Sequence, residues 1–210
     1  MGLSIGLSIG QIQHRAATVP DAAAATTTWN PADKSASTTL SNGNLTATND
    51  GASTGGFRSI ASASSGKKYW EITAAGATVA DAAVGVANAS HSVDASFDGG
   101  TNSLGWYGTD GKVYLNEVDI GSYVTFASGD VLCLAFDLTA ELMWFRKGAG
   151  NWNNSASANP ATGAEGLDVS GLSAGPYFAY GFLKNADDAF TSNFGATSYA
   201  QTAPSGFSNW

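Results

Sequence analysis

The chain has 210 residues, only 12% of them charged, with 26 glycines and a formal net charge of −8. Glu, Lys, Leu and Arg are too scarce for a helical bundle, and nine scattered basic residues exclude nucleic acid, which needs clustered cations. One cysteine and two histidines exclude an intrachain disulfide and a zinc site, and no stretch approaches the ~18 apolar residues of a membrane span.

The chain opens on Gly-Leu-Ser-Ile, twice in succession. Leu3, Ile5, Leu7 and Ile9 alternate with small residues, so an extended segment presents one apolar side. There is no basic leader and no continuous apolar run, which argues against a signal peptide. An apolar side on a free end suits docking on a partner, by adding a strand or filling a groove. Residues 11–28 read as a linker; the alanines 22–25 are too few to nucleate a helix. Residues 1–28 are therefore expected to form an extended N-terminal arm and linker that anchors the chain in an assembly, with a domain over 29–210.

From Trp29 onward the pattern predicts ten strands: 37–40, 45–48, 68–73, 83–87, 103–107, 112–115, 131–136, 141–146, 177–182 and 190–194. Asn42-Gly43, Asp50-Gly51, Asp98-Gly99 and Asp110-Gly111 punctuate them, and such pairs supply the positive φ of tight turns. The run from Val131 to Phe136 is apolar at both parities, as a strand covered on both faces must be. Asp137 starts a turn, and Leu142-Met143-Trp144-Phe145 returns. Cys133 in this hairpin reads as a small buried hydrophobe. Short strands at regular spacing predict an all-β, two-sheet antiparallel β-sandwich.

Carboxylates suited to acid–base work by type are badly placed. Glu71 is alone, Glu141 sits by a turn, and Asp187-Asp188 point to opposite faces of a strand. Glu117 and Asp119 fall in a predicted loop. His14 and His91 lie in the linker and a loop, so no catalytic set emerges. The stretch from Asp94 to Asn102 offers hard oxygen ligands but lacks the alternation of a calcium loop, so it reads as a solvated loop, with no metal or cofactor. Trp29, Trp70 and Trp144 read as core. Of Trp106 and Tyr107, adjacent on a strand, one ring must face outward. Trp152 sits among small polar residues; it is either a lid folded over the hairpin or a ring open to ligand. Aromatic rings flanked by Asn and Asp suit a sugar. The candidate ligand-binding set is thus Asp98, Asn102, Trp106, Tyr107, Asn151, Trp152 and Asn153.

From Trp29 to the end the sequence resembles the SPRY domain family, with concanavalin A-like sandwiches of bacteriophage and prophage structural proteins as the nearest likeness. The residues that carry it are Trp29-Asn-Pro-Ala-Asp-Lys34, Thr39 to Thr48, Ser65-Gly-Lys-Lys-Tyr-Trp-Glu-Ile72, Val84-Gly-Val-Ala87, Leu104-Gly-Trp-Tyr107, the hairpin Ser128 to Gly148, Asn159 to Gly163, Asn193-Phe-Gly195 and Pro204 to Phe207. Lys147 departs from the pattern where Asn often precedes the turn glycine, and the loop 88–103 is longer and richer in Asp and Ser. The resemblance implies a jelly-roll binding scaffold with no shared catalytic residues. It implies a non-enzymatic virion protein made in the host cytoplasm, homo-oligomeric in the particle and bound to other virion proteins through its arm. Its sandwich, as on a tail fibre, is expected to recognise a host-surface glycan or protein. The rival expectation is a decoration or cement protein that contacts only neighbouring subunits.

Overall fold

The computed structural model describes residues 1–2, 27–172 and 174–210, so the arm residues Leu3, Ile5, Leu7 and Ile9 lie outside the described residues. Fifteen strands follow among those described: β1 (Trp29–Lys34), β2 (Thr38–Ser41), β3 (Thr46–Asn49), β4 (Gly55–Ala63), β5 (Lys67–Ala75), β6 (Ala83–Asn88), β7 (Ser103–Tyr107), β8 (Lys112–Leu115), β9 (Val118–Ser122), β10 (Val131–Asp137), β11 (Leu142–Lys147), β12 (Leu167–Asp168), β13 (Tyr177–Leu183), β14 (Ala189–Asn193) and β15 (Ser208–Asn209). They build two sheets. One runs β1-β4-β13-β6-β7-β8-β9; the other runs β12-β11-β10-β5-β14-β3-β2, with β15 beside β5. Among the described residues only the short β15–β5 pairing is parallel.

All ten strands read from the sequence are present, each within one or two residues. Five others carry weak signals. β4 is Gly-Gly-Phe-Arg-Ser-Ile-Ala-Ser-Ala, small and polar with no clean alternation. β1 contains Pro31 and lies at a sheet edge, where a missing N–H is tolerated. β9 corrects the predicted loop around Glu117 and Asp119: Asn116 and Glu117, with φ of 49° and 72°, form the two-residue turn, and Asp119 sits on the returning strand. β12 and β15 have two residues each.

The hairpin explains the layering. Leu132, Leu134 and Phe136 of β10 enter the core between the sheets with Trp70, Ile72, Met143 and Phe145. The opposite parity, Cys133 and Ala135, joins Tyr69, Trp144 and Trp152 in a second cluster on the outer face of that sheet, packed by Tyr199, Ala203 and Phe207. Glu71 fixes this cover: its buried carboxylate accepts from the Tyr69 hydroxyl (2.7 Å) and from the backbone N–H of Ala200 (2.7 Å) and Gln201 (2.8 Å).

The other sheet repeats the device. Ala83, Ala87, Tyr180 and Phe182 face outward and are covered by Phe97 from the loop between β6 and β7. Phe97 lies directly on Gly105, where a Cβ would collide with the ring. Arg58 on β4 ties the loop down. Its Nε and Nη2 grip Asp33 at 2.7 and 2.8 Å, while Nη1 donates to the Asn88 and His91 carbonyls at 3.1 and 2.6 Å. A bidentate, buried guanidinium of this kind outweighs the exposed ion pairs elsewhere, which are worth at most about 1 kcal/mol each. His91 is buried against Phe97 and Tyr180.

Two outcomes follow. Arg58→Met leaves Asp33 without its cation and the Asn88 and His91 carbonyls without their donor; urea unfolding should show a loss of about 3 kcal/mol. Burial, reinforced by the Arg58 charge, holds His91 below its ordinary 6.5 despite the Thr101 and Ala95 carbonyls. The unfolded chain therefore binds the extra proton first, and stability should fall as pH drops below about 6.5. Denaturation midpoints measured from pH 7.5 to 5 should show that slope, and His91→Gln should flatten it.

Candidate functional site

The loop from Ala89 to Asn102 covers only part of its sheet, and its edge leaves a cleft. A hollow of about 440 Å³ is walled by Thr54, Asp94, Ala95, Ser96, Asp98, Gly99, Tyr107, Phe182 and Lys184. A second of about 230 Å³ adds Asp81, Thr109, Asp110 and Tyr114, and shares Asp98, Tyr107 and Lys184 with the first. Strand parity places the walls: Phe182 and, one step past the strand end, Lys184 share the outward face of β13 with Tyr180, while Tyr107 ends β7 and Tyr114 stands on β8. Two other hollows, about 530 Å³ beside Gly66 and Asp137 and about 380 Å³ beside Thr73 and Asn193, have no aromatic wall.

Polar groups in the cleft are pre-set. The Tyr107 hydroxyl donates to Asp98 Oδ1 at 2.9 Å. Burial alone would raise the Asp98 carboxyl, but hydrogen bonds from Ser96 and Tyr107 and the Lys184 charge outweigh it and hold the group below the ordinary carboxylate value. Asp81 is held low chiefly by the Thr109 hydroxyl, which donates to it at 2.8 Å, helped by Asn185 and Lys184. Burial, and then Asp98, push the Tyr107 hydroxyl up, so it stays a donor at neutral pH. Three or more His, Cys, Asp or Glu side chains converging as a metal site do not occur among the described residues.

The sequence-derived candidates divide. Asp98 and Tyr107 meet in the cleft. Asn102 does not line it; with φ of 68° it shapes the loop, and its N–H donates to Asn116 Oδ1 at 2.7 Å. Trp106 is a correction: it is the inward ring of its pair, fully buried against Phe126 and Phe145, with Nε1 donating to the Val124 carbonyl at 2.7 Å. No face of it is open to a sugar. Trp152 is a second correction, because of the two readings the lid holds. It is 9% exposed, meets Tyr69 edge-on, and carries the Arg146 guanidinium 4.3 Å from its ring centre. Asn153 is spent on structure, accepting from the Phe145 N–H at 2.9 Å and donating to the Met143 and Glu165 carbonyls. Exposed Asn151 lies with these two on the other sheet's outer face, away from the cleft.

Sequence reading missed Lys184, Asp81, Thr109, Tyr114 and Phe182. The alternation Tyr180, Phe182, Lys184 was the available signal for one wall. Nothing local in the sequence joins it to Asp81 or Tyr114.

No family model and no curated protein matches the chain. Solved structures do. The SPRY domain of human HERC1 superposes with a TM-score of 0.66 at 14% identity, covering 81% of this chain and 99% of that one. The PSpry domain of TRIM65 gives 0.60 at 14% identity, covering 80% and 92%, and a human SPRY domain gives 0.57 at 15%, covering 79% and 99%. At these identities the likeness speaks for architecture alone: the chain is an all-β sandwich with the SPRY fold.

Proposed function

We propose that the chain is a non-enzymatic recognition module of a phage or prophage particle, held by its N-terminal segment to other virion proteins and presenting the sandwich to the host surface. The cleft around Asp98, Tyr107 and Lys184 carries this reading. It is concave, has aromatic walls, and its polar groups are oriented before any ligand arrives, which lowers the cost of binding. A hydrolase would need one carboxyl raised enough to give up a proton near neutral pH, opposite an ionised partner. Asp81 and Asp98 are both held down, which suits charge recognition and not proton donation. The sequence resemblance supports the virion setting, and the repeated Leu and Ile of the first ten residues support the anchor.

Two measurements test it. A chain lacking residues 1–26 should fold with an unchanged melting temperature yet fail to join particles assembled in its presence; normal incorporation contradicts the anchor. Fluorescently labelled full chain should bind intact cells in a panel of bacterial envelopes. Asp98→Asn, which keeps an acceptor for Tyr107, should cut that binding roughly tenfold. Binding that Asp98→Asn leaves unchanged, or a cleft found buried against neighbouring subunits in the particle, supports the decoration role instead.

A further inference from the structure

The cleft has a marked imbalance of charge. Asp81, Asp94, Asp98 and Asp110 line the two joined hollows against a single ammonium, Lys184. Lys112 stands nearby, paired chiefly with Asp119 at 3.1 Å and reaching Asp110 at 4.0 Å. Asp94 is exposed, and its carboxylate has no hydrogen-bond or ion-pair partner among the described residues. Lys184 forms no ion pair within 4 Å among them, so Asp81, Asp94 and Asp98 have no cation at contact range, while Asp110 has Lys112.

The aromatic walls choose between ligand classes. Tyr107 and Tyr114 meet edge-on, with ring centres 5.5 Å apart and planes at 79°. Perpendicular rings offer a sugar no continuous platform. They do suit a cation, which is drawn to a ring face and to carboxylates together. Tyr114 already takes one: Lys112 Nζ lies 6.0 Å from its ring centre. Resting on the recognition reading above, the geometry points to a more specific ligand: the cleft takes a cationic side chain, arginine or lysine, displayed by a protein partner, seated between Asp94 and Asp98 against Tyr107.

Lys184 makes the test one of sign. The ¹⁵N-labelled full chain is titrated with acetyl-Gly-Arg-Gly-amide, with its citrulline counterpart of the same shape and no charge, and with a neutral oligosaccharide. The arginine peptide should shift the amides of Asp94, Asp98, Tyr107 and Lys184, and the citrulline peptide should not. Asp94→Asn, at an exposed position, should weaken binding about threefold to tenfold, and Lys184→Gln should tighten it by a similar factor because an internal competitor is gone. Raising salt from about 50 to 500 mM should weaken binding, since the contacts are solvent-exposed. If the oligosaccharide or the citrulline peptide shifts the same amides, or Lys184→Gln weakens binding, the cationic assignment is wrong while the cleft stands as the recognition site. Cleft amides silent to every probe also overturn the assignment; the envelope assay with Asp98→Asn then judges the recognition reading separately.

Discussion

The structure depends on burying the second face of its strands. A two-layer sandwich needs apolar residues on one parity only, yet β5, β10, β11, β6, β7 and β13 carry them on both. Each large ring turned outward has of order 150–250 Å² to hide from water. At roughly 25 cal/mol per Å², leaving Tyr69, Trp144, Tyr180 and Phe182 exposed would cost several kcal/mol apiece. Irregular segments therefore become structural. The C-terminal stretch and the loop carrying Trp152 close one outer face; the loop carrying Phe97 closes the other. The cleft exists because the second cover stops short.

Charge is rationed to hold these covers in place. Arg58 joins Asp33 to the carbonyls of Asn88, at the end of β6, and His91, in the loop after it; Glu71 gathers two N–H groups of the C-terminal stretch, and buried Asp188 accepts from the Thr78 N–H and hydroxyl. Every one of these buried ions is met by donors or acceptors of the backbone, as burial demands. The carboxylates in the cleft differ. Asp98 is oriented by Tyr107 yet exposed, and Asp94 is exposed without a partner among the described residues. Holding the cover and, in the proposed role, meeting a ligand thus fall to different acids within one chain of few charges.

Much of the fold is legible in the sequence, and for a physical reason. Runs such as Val131–Phe136 and turn pairs such as Asn42-Gly43 encode their conformation locally, the latter with φ of 51° and 61°. β4 escapes because its packing is made by partners: Phe57 and Ser59 face the core while Arg58 reaches Asp33 and the β6–β7 loop. The site is half legible. Adjacent Trp106 and Tyr107 must point opposite ways, but which one is buried depends on where the other sheet lies. Trp152 looks isolated only because Tyr69 and Arg146 come to it from other strands. The cleft's remaining walls, Lys184, Asp81 and Tyr114, meet through pairing of β13, β6, β7 and β8, a long-range outcome that no local pattern announces.

If the covers are part of the fold, the cleft is formed before any ligand binds. Amide hydrogen exchange of the free chain tests this most directly. The N–H groups of Asn88, His91, Ala95, Gly99 and Asn102 are each bonded within or beneath the β6–β7 loop. The account predicts that they exchange slowly, within about tenfold of the β6 and β13 amides, and lose protection together with them as denaturant is added. Exchange at the rate of an open loop, with the strands still protected, would contradict it.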